Sequence, residues 1–286
     1  MKRSAIGICL IIVFSFSVAS VAIENRENRE NSIFADQSFK EGAVLIGLNF
    51  SGQDLSGKNL NRADMQRCVF NGTNLRGAAL KGAKISNAFL VKANLSEADM
   101  GKACLKGSDL SFANLGSSSL FLSDLLLANL TGANLTGANL QQAIISKAKL
   151  ADANLNSANL TACDLNGSDL SRASLVGAYA RRAMLGNALL AYANITGASL
   201  VGANLVGADF SGADLRGSDL SEARISRAKF IGSNMSRANL VFTNLTRANL
   251  SRADLSGSTI AGSGLSHCDL SFVNFSDANL QQADMH

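Results

Sequence analysis

Neither proline nor tryptophan occurs anywhere in this 286-residue chain, and histidine and tyrosine occur only twice each. Average usage would supply about 14 prolines at this length. A backbone that avoids proline so completely is one that needs its N–H groups, as stacked strands do. Aromatic residues make up only 6% of the chain, which excludes a core built on large rings. His267 is followed by terminal His286 with no metal-ligand spacing between them, and no Ser-His-Asp arrangement can be assembled from the two. No glycine-rich phosphate loop stands between a strand and a helix. These absences predict a non-enzymatic protein with no cofactor and no metal.

What the chain does have is a period of five. From Leu45 to Met285 every residue whose number is a multiple of five is apolar, mostly Leu, with Ala180 the one small exception. From Ala63 onward the residue two before that centre is Ala, Ser, Cys, Thr or Val, as in the Ala133–Leu140 stretch A-N-L-T-G-A-N-L. On an α-helix a step of five leaves an offset of about 140°, so the leucines would make no stripe. On a flat strand an odd step would alternate faces. The pattern fits a chain that turns a corner every five residues, with the small residue and the centre both pointing inward. Glycine falls mostly two after the centre, as at Gly132 and Gly137, where a corner needs permissive backbone.

This array of about 49 uninterrupted repeats resembles the pentapeptide repeat family, with its loose motif A(D/N)LXX. The resemblance implies an all-β, right-handed quadrilateral β-helix with 20 residues per coil. Centre-position Phe50, Phe70, Phe210 and Phe230 differ by multiples of 20, as do Ile85, Ile145 and Ile225, which agrees with that coil. About 12 coils at strand spacing would make a rod about 58 Å long. Repeat stacking replaces a globular core, so residues 43–286 form one structural domain.

Residues 1–22 read as a secretory signal peptide: Lys2 and Arg3, the apolar run Ala5–Val18, then Ser20-Val21-Ala22 before a cleavage point. The competing reading is an uncleaved anchor over residues 5–23, just long enough to span a bilayer. Cys9 lies inside the apolar run and is a poor lipid-attachment site. Residues 23–42 form a polar linker followed by an N-terminal cap carrying Ile33, Phe34 and Phe39. Gln53 and Lys58 fall on inward positions of the first coil, which is therefore expected to be distorted or open, because an unpaired charge cannot enter a closed core. The expected location is exported (periplasm, thylakoid lumen or extracellular).

Cys68, Cys163 and Cys268 sit at inward small positions about five coils, or roughly 24 Å, apart. Disulfide partners need Cα atoms within about 7 Å, so no intramolecular disulfide is expected. Cys104 points outward. The Asn/Asp column before each centre, such as Asn129, Asn134 and Asp209, is structural in the family the chain resembles. Calcium needs several oxygens converging within one loop.

Two departures from the repeat are the candidate sites. Phe121, Leu122, Leu126 and Leu127 place large apolar residues on two adjacent corners where the repeat carries small or polar ones, and Phe112 is outward on another side. This patch is the candidate protein-partner site. The stretch from Glu222 to Arg252 holds Arg224, Arg227, Lys229, Arg237, Arg247 and Arg252, for a local charge of about +5. Arg227 and Arg247 should stack, with His267 next in their column, facing an anionic surface such as lipid or glycan. Phe272 and Phe275 enlarge the apolar content of the last coil, and some family members dimerise at that end, so a homodimer is expected there. The leading reading is an exported scaffold or structural rod. The alternative is a DNA-mimicking modulator of a type II topoisomerase. Against it stand the net charge of +4, the lack of interrupting loops and the export signal. Nucleic-acid binding is not expected, and an ice- or polysaccharide-binding face is disfavoured, because Thr131 and Thr136 do not continue up their columns.

Overall fold

The computed structural model describes residues 39–286. The expected signal peptide or anchor, Ile33, Phe34 and most of the linker lie outside the described residues.

The backbone answers the missing prolines residue by residue. In the repeat centred on Leu130, the N–H of Leu130 donates to Lys149 O in the next coil (2.7 Å) and that of Gly132 to Ala151 O (2.9 Å). The N–H of Asn134 donates to Ala113 O in the coil before (2.9 Å), and that of Ala133 closes the corner onto Leu130 O (3.0 Å). The fifth donor, Thr131 N–H, goes to the side chain of Asn129, Oδ1 at 3.2 Å. All five N–H groups of the repeat are thus used. Where Asn or Asp precedes the centre, as at most repeats, its side chain accepts the one N–H that the ladder leaves over.

The corner bond runs from the centre carbonyl to the N–H three residues on, with positive φ at the third turn residue, which is a type II turn. Positive φ recurs two after every centre, at 20 glycines and 29 other residues, Arg62 through Gln282. Parallel bridges pair each outward residue with the one 20 positions later, from Val44↔Asp64 to Gly264↔Asp284. Four corners per 20-residue coil give a four-sided solenoid.

The inside is a column of leucines and alanines. Leu130, Leu135, Ala133 and Ala138 are each at most 1% exposed. Phe50 stacks on Phe70 (ring centroids 5.2 Å) and Phe210 on Phe230 (4.9 Å, 3° between planes), so the spacing of 20 between these residues is direct packing. Serine and threonine at inward positions hand their hydroxyl to a carbonyl. Ser118 Oγ bonds Leu115 O (2.7 Å) in its own corner, and Thr73 Oγ1 bonds Phe50 O (2.6 Å) across coils. Among the described residues no buried side-chain N or O lacks a partner.

Of the two forms expected for the first coil, distorted or open, distortion is not what the structure has. Its backbone is regular: Leu55 N bonds Asn74 O, and Asp54 and Asn59 bridge to Asn74 and Ala79. The coil is not distorted. Gln53 is exposed and Lys58 half-buried. Phe39 packs on the Phe50 ring at 5.8 Å.

Candidate binding surfaces

The apolar corner is a surface feature. Leu122 and Leu127 are 40% and 60% exposed, while Phe121 and Leu126 are half-buried against the turns they belong to. Both exposed leucines hold positive φ, 57° and 61°, a conformation that costs a leucine about 1–2 kcal/mol. The side between the two corners carries Asp124, ion-paired to Lys106 (3.0 Å), and in the next coil Ile144, bridged to Asp124 and 42% exposed. Ile144 extends the patch and was legible in the sequence as an Ile where Asn or Asp is the rule.

Phe112 has a different explanation. A Cβ on Gly132, one coil on, would come within 2.6 Å of the Phe112 ring. The ring leans over the bare glycine. Tyr192 does the same over Gly212 and Phe242 over Gly262. An aromatic two after a centre followed by Gly 20 later is the signal that would have found this.

A second apolar band went unnoticed in the sequence. Tyr179, Met184 and Leu189 occupy three successive bridge positions of one coil and are 57%, 40% and 48% exposed, with Tyr192 beside them at 72%. Its signal is the loss of Asn/Asp from three consecutive repeats.

The basic belt divides. Arg224, Arg227 and Arg247 come together with His267 around an open recess of about 550 Å³, which Ser226, Thr246 and Ser266 also line. Lys229 lies on another side and pairs with Asp209 (3.5 Å). Arg237 lies against Gly257 on a separate corner, and Arg252 is exposed on a fourth side. Elsewhere the solenoid sets cations over acids one coil apart. Arg172 makes two bonds to Asp152 (both 2.7 Å), Arg62 meets Glu41 (3.1 Å) and Lys84 meets Asp64 (3.6 Å). The recess instead sets Arg227 under Arg247, with no ion pair to either among the described residues. Two unit charges about 5 Å apart in water repel by about 0.8 kcal/mol.

The Asn/Asp column is engaged with its own backbone. On one side Asn134, Asn114, Asn94 and Asn74 each donate Nδ2 to Oδ1 of the residue one coil before, down to Asp54. Aspartate stands at the N-terminal end of that ladder and of the pairs Asp109–Asn129 and Asp219–Asn239, since a carboxylate can only accept. Asp54 is held below the usual carboxylate range by its hydrogen bonds from Ser56, and Asp152 by Arg172. Burial opposes the shift at Asp209, where bonds from Ser211 and the charge of Lys229 still leave the carboxyl lowered.

Cys68, Cys104, Cys163 and Cys268 are all free thiols. Burial pushes Cys68 up to about 11 and also raises Cys163, which bonds Ala143 O. Cys104 is half-exposed and touches Ser86 Oγ (3.1 Å). In the last coil Phe272 is 86% exposed, and Phe275 is partly buried against the core. No described helix is long and apolar enough to cross a membrane.

A four-sided solenoid of five-residue turns, with its variable chemistry confined to the outward positions, is the architecture of a repeat protein. The model for pentapeptide repeats matches eight copies running from 43–78 to 253–286, and the chain belongs to the pentapeptide repeat family, whose fold is the right-handed quadrilateral β-helix. Among solved structures it is similar to HetL, a pentapeptide repeat protein involved in heterocyst differentiation regulation from Nostoc sp. strain PCC 7120. The two are 29% identical over 91% of this chain and 95% of that one, with TM-score 0.32. A pentapeptide repeat protein from the Arabidopsis thaliana thylakoid lumen is 34% identical over 40% of this chain and 66% of its own, with TM-score 0.28. QnrB1, a plasmid-mediated fluoroquinolone resistance protein, is 17% identical over 82% and 90%, with TM-score 0.33. No curated protein matches the chain.

Proposed function

We propose that this protein is a non-enzymatic, exported binding scaffold, a rod of about 12 coils and about 58 Å that presents its sites on fixed outward positions. The observation that carries the reading is the apolar corner. Leu122 and Leu127 stand exposed, next to Phe121, Leu126 and Ile144, at places where the repeat needs only small or polar residues. Both leucines sit in a backbone conformation that favours glycine or asparagine, so the fold itself gains nothing from them. Exposed apolar clusters of this kind are docking surfaces for protein partners. Export rests on the N-terminal pattern of residues 1–22.

The test is recovery of partners from the exported fraction of the native host, with the parent chain beside a Phe121→Ser, Leu127→Ser double variant. A protein held by the parent and lost by the variant supports the reading. Equal recovery by both removes the corner as a site. Leu127→Asn should leave the melting temperature unchanged or raised, which separates lost binding from lost fold. End-to-end pairing of two copies through Phe272 and Phe275 is part of the same reading, and a pure monomer by light scattering at high concentration would remove it. The topoisomerase alternative is opposed by the sign of the surface. A DNA mimic presents carboxylates, whereas this chain carries a net charge of +4 and gathers three arginines at one recess.

A further inference from the structure

We infer that the recess at Arg224, Arg227, Arg247 and His267 is a binding site for a tetrahedral oxyanion, phosphate or sulfate, free or as the end group of a small ester. The inference is independent of the apolar corner.

The column stacks two arginines and a histidine. Arg227, Arg247 and His267 hold nearly the same φ, 60°, 62° and 59°, so their side chains leave the corner from equivalent points about 4.8 Å apart. Arg224 reaches the same space from the adjoining side. None of the three arginines has a carboxylate partner among the described residues, although this solenoid readily pairs cations one coil apart. The guanidinium fork offers paired donors that match an oxyanion.

Neutral donors converge on the same place. Most repeats give the N–H one after the centre to an Asn or Asp side chain, as Thr246 N–H does to Asn244 Oδ1 at 3.0 Å. At the two neighbouring coils that acceptor is withheld, because position 224 is Arg and position 264 is Gly. The N–H groups of Ser226 and Ser266 therefore have no protein acceptor among the described residues, and both serines line the recess.

Gly264 is the only glycine at a bridge position among the described residues, and its φ is not in the left-handed region. The turn does not require it. A Cβ there would have only Thr246 Oγ1 within reach, at 4.0 Å, so the missing side chain leaves space beside a recess hydroxyl. Asp284 is bridged to Gly264 one coil on, and its Oδ2 lies 3.4 Å from Ser266 Oγ. It bounds the site on the C-terminal side.

The test is calorimetric titration of the full chain with inorganic phosphate, sulfate and pyrophosphate at fixed ionic strength, with chloride as the control for screening. Saturable one-site binding by at least one oxyanion is expected, and none by chloride. Which anions bind separates phosphate from sulfate as the natural end group. Gly264→Asp restores the side chain that the repeat normally carries, so it should fold and melt no lower than the parent. It also sets a carboxylate in the recess and should weaken binding at least tenfold. Gly264→Asn adds the same bulk without charge and should weaken binding by no more than about threefold. Arg247→Gln should lose at least tenfold, and Arg172→Gln, on a different corner, should lose nothing. Absence of saturable binding overturns the inference. So does equal binding by the parent and Gly264→Asp, or equal loss in Arg247→Gln and Arg172→Gln.

Discussion

At the scale of the residue, the array is a compromise at one position in five. Two after each centre the backbone must take positive φ, and 29 residues other than glycine are held there by bonds in both directions along the ladder. At three of these positions an aromatic ring lies over a glycine of the next coil. Phe112, Tyr192 and Phe242 lie over Gly132, Gly212 and Gly262. Gly132→Ala is therefore expected to cost more than the left-handed conformation alone. Gly197 has φ +64° and nothing within 4 Å of an added Cβ, so Gly197→Ala should cost only about 1 kcal/mol. Gly132→Ala must also move the Phe112 ring and should cost about 1 kcal/mol more. Urea unfolding of the two variants measures the difference, and equal midpoints would show that the ring moves freely.

At the scale of the single repeat, the tolerance to proline differs by position. Four of the five N–H groups bond to backbone, and the fifth, one after the centre, is tied only where a side chain accepts it, an Asn or Asp just before the centre as at Thr131 or an Asn one coil earlier as at Val91. Ala151 follows the centre Leu150, which is preceded by Lys149, and Ala151 N–H donates to no protein acceptor. A type II turn accepts proline at this place. Ala151→Pro should therefore leave the melting temperature within a few degrees of the parent. Ala153→Pro removes the corner bond to Leu150 O (3.0 Å) inside the core and should cost about 3 kcal/mol or more. A large loss from Ala151→Pro would mean that the coils pack too tightly for a ring there.

At the scale of the whole molecule, the carboxylates that accept corner N–H groups and cations set the acid limit. Asp54, Asp152, Asp209, Asp214 and Asp269 are all held below their ordinary values. A carboxyl lowered by folding contributes stability above its unfolded value, about 3.9, and loses it as pH falls through the folded value. Thermal stability is thus expected to be flat from neutral pH to about 5 and to fall below about 4. Each contribution is small, because Asp54, Asp152 and Asp269 are exposed and Asp209 and Asp214 are only partly buried. The arginine recess should not share in that fall, since arginine keeps its charge throughout. Melting curves across pH 7 to 2 check this, and stability that rises on acidification would contradict it.

The sequence by itself determined the period, the inward column and the 20-residue coil. One rule, apolar at every fifth residue and small two before it, repeats without interruption, and only a chain turning a corner each repeat can bury both. Phe50 over Phe70 and Phe210 over Phe230 were already legible as spacings of 20. So were the lack of a disulfide partner for any inward cysteine and the stacking of Arg227 under Arg247. The tertiary structure alone decided what depends on contact between coils. The first coil stays regular with Gln53 and Lys58 at its inward positions. Phe112 keeps an outward place, but its ring leans over a glycine 20 residues away. Six arginines and lysines counted as one belt separate, because residues adjacent in sequence leave a square coil on different sides, while residues 20 apart share a corner. Gly264 carries no signal in the one-dimensional repeat. Its meaning comes from the Arg, Ser and Thr side chains that neighbouring coils place around it.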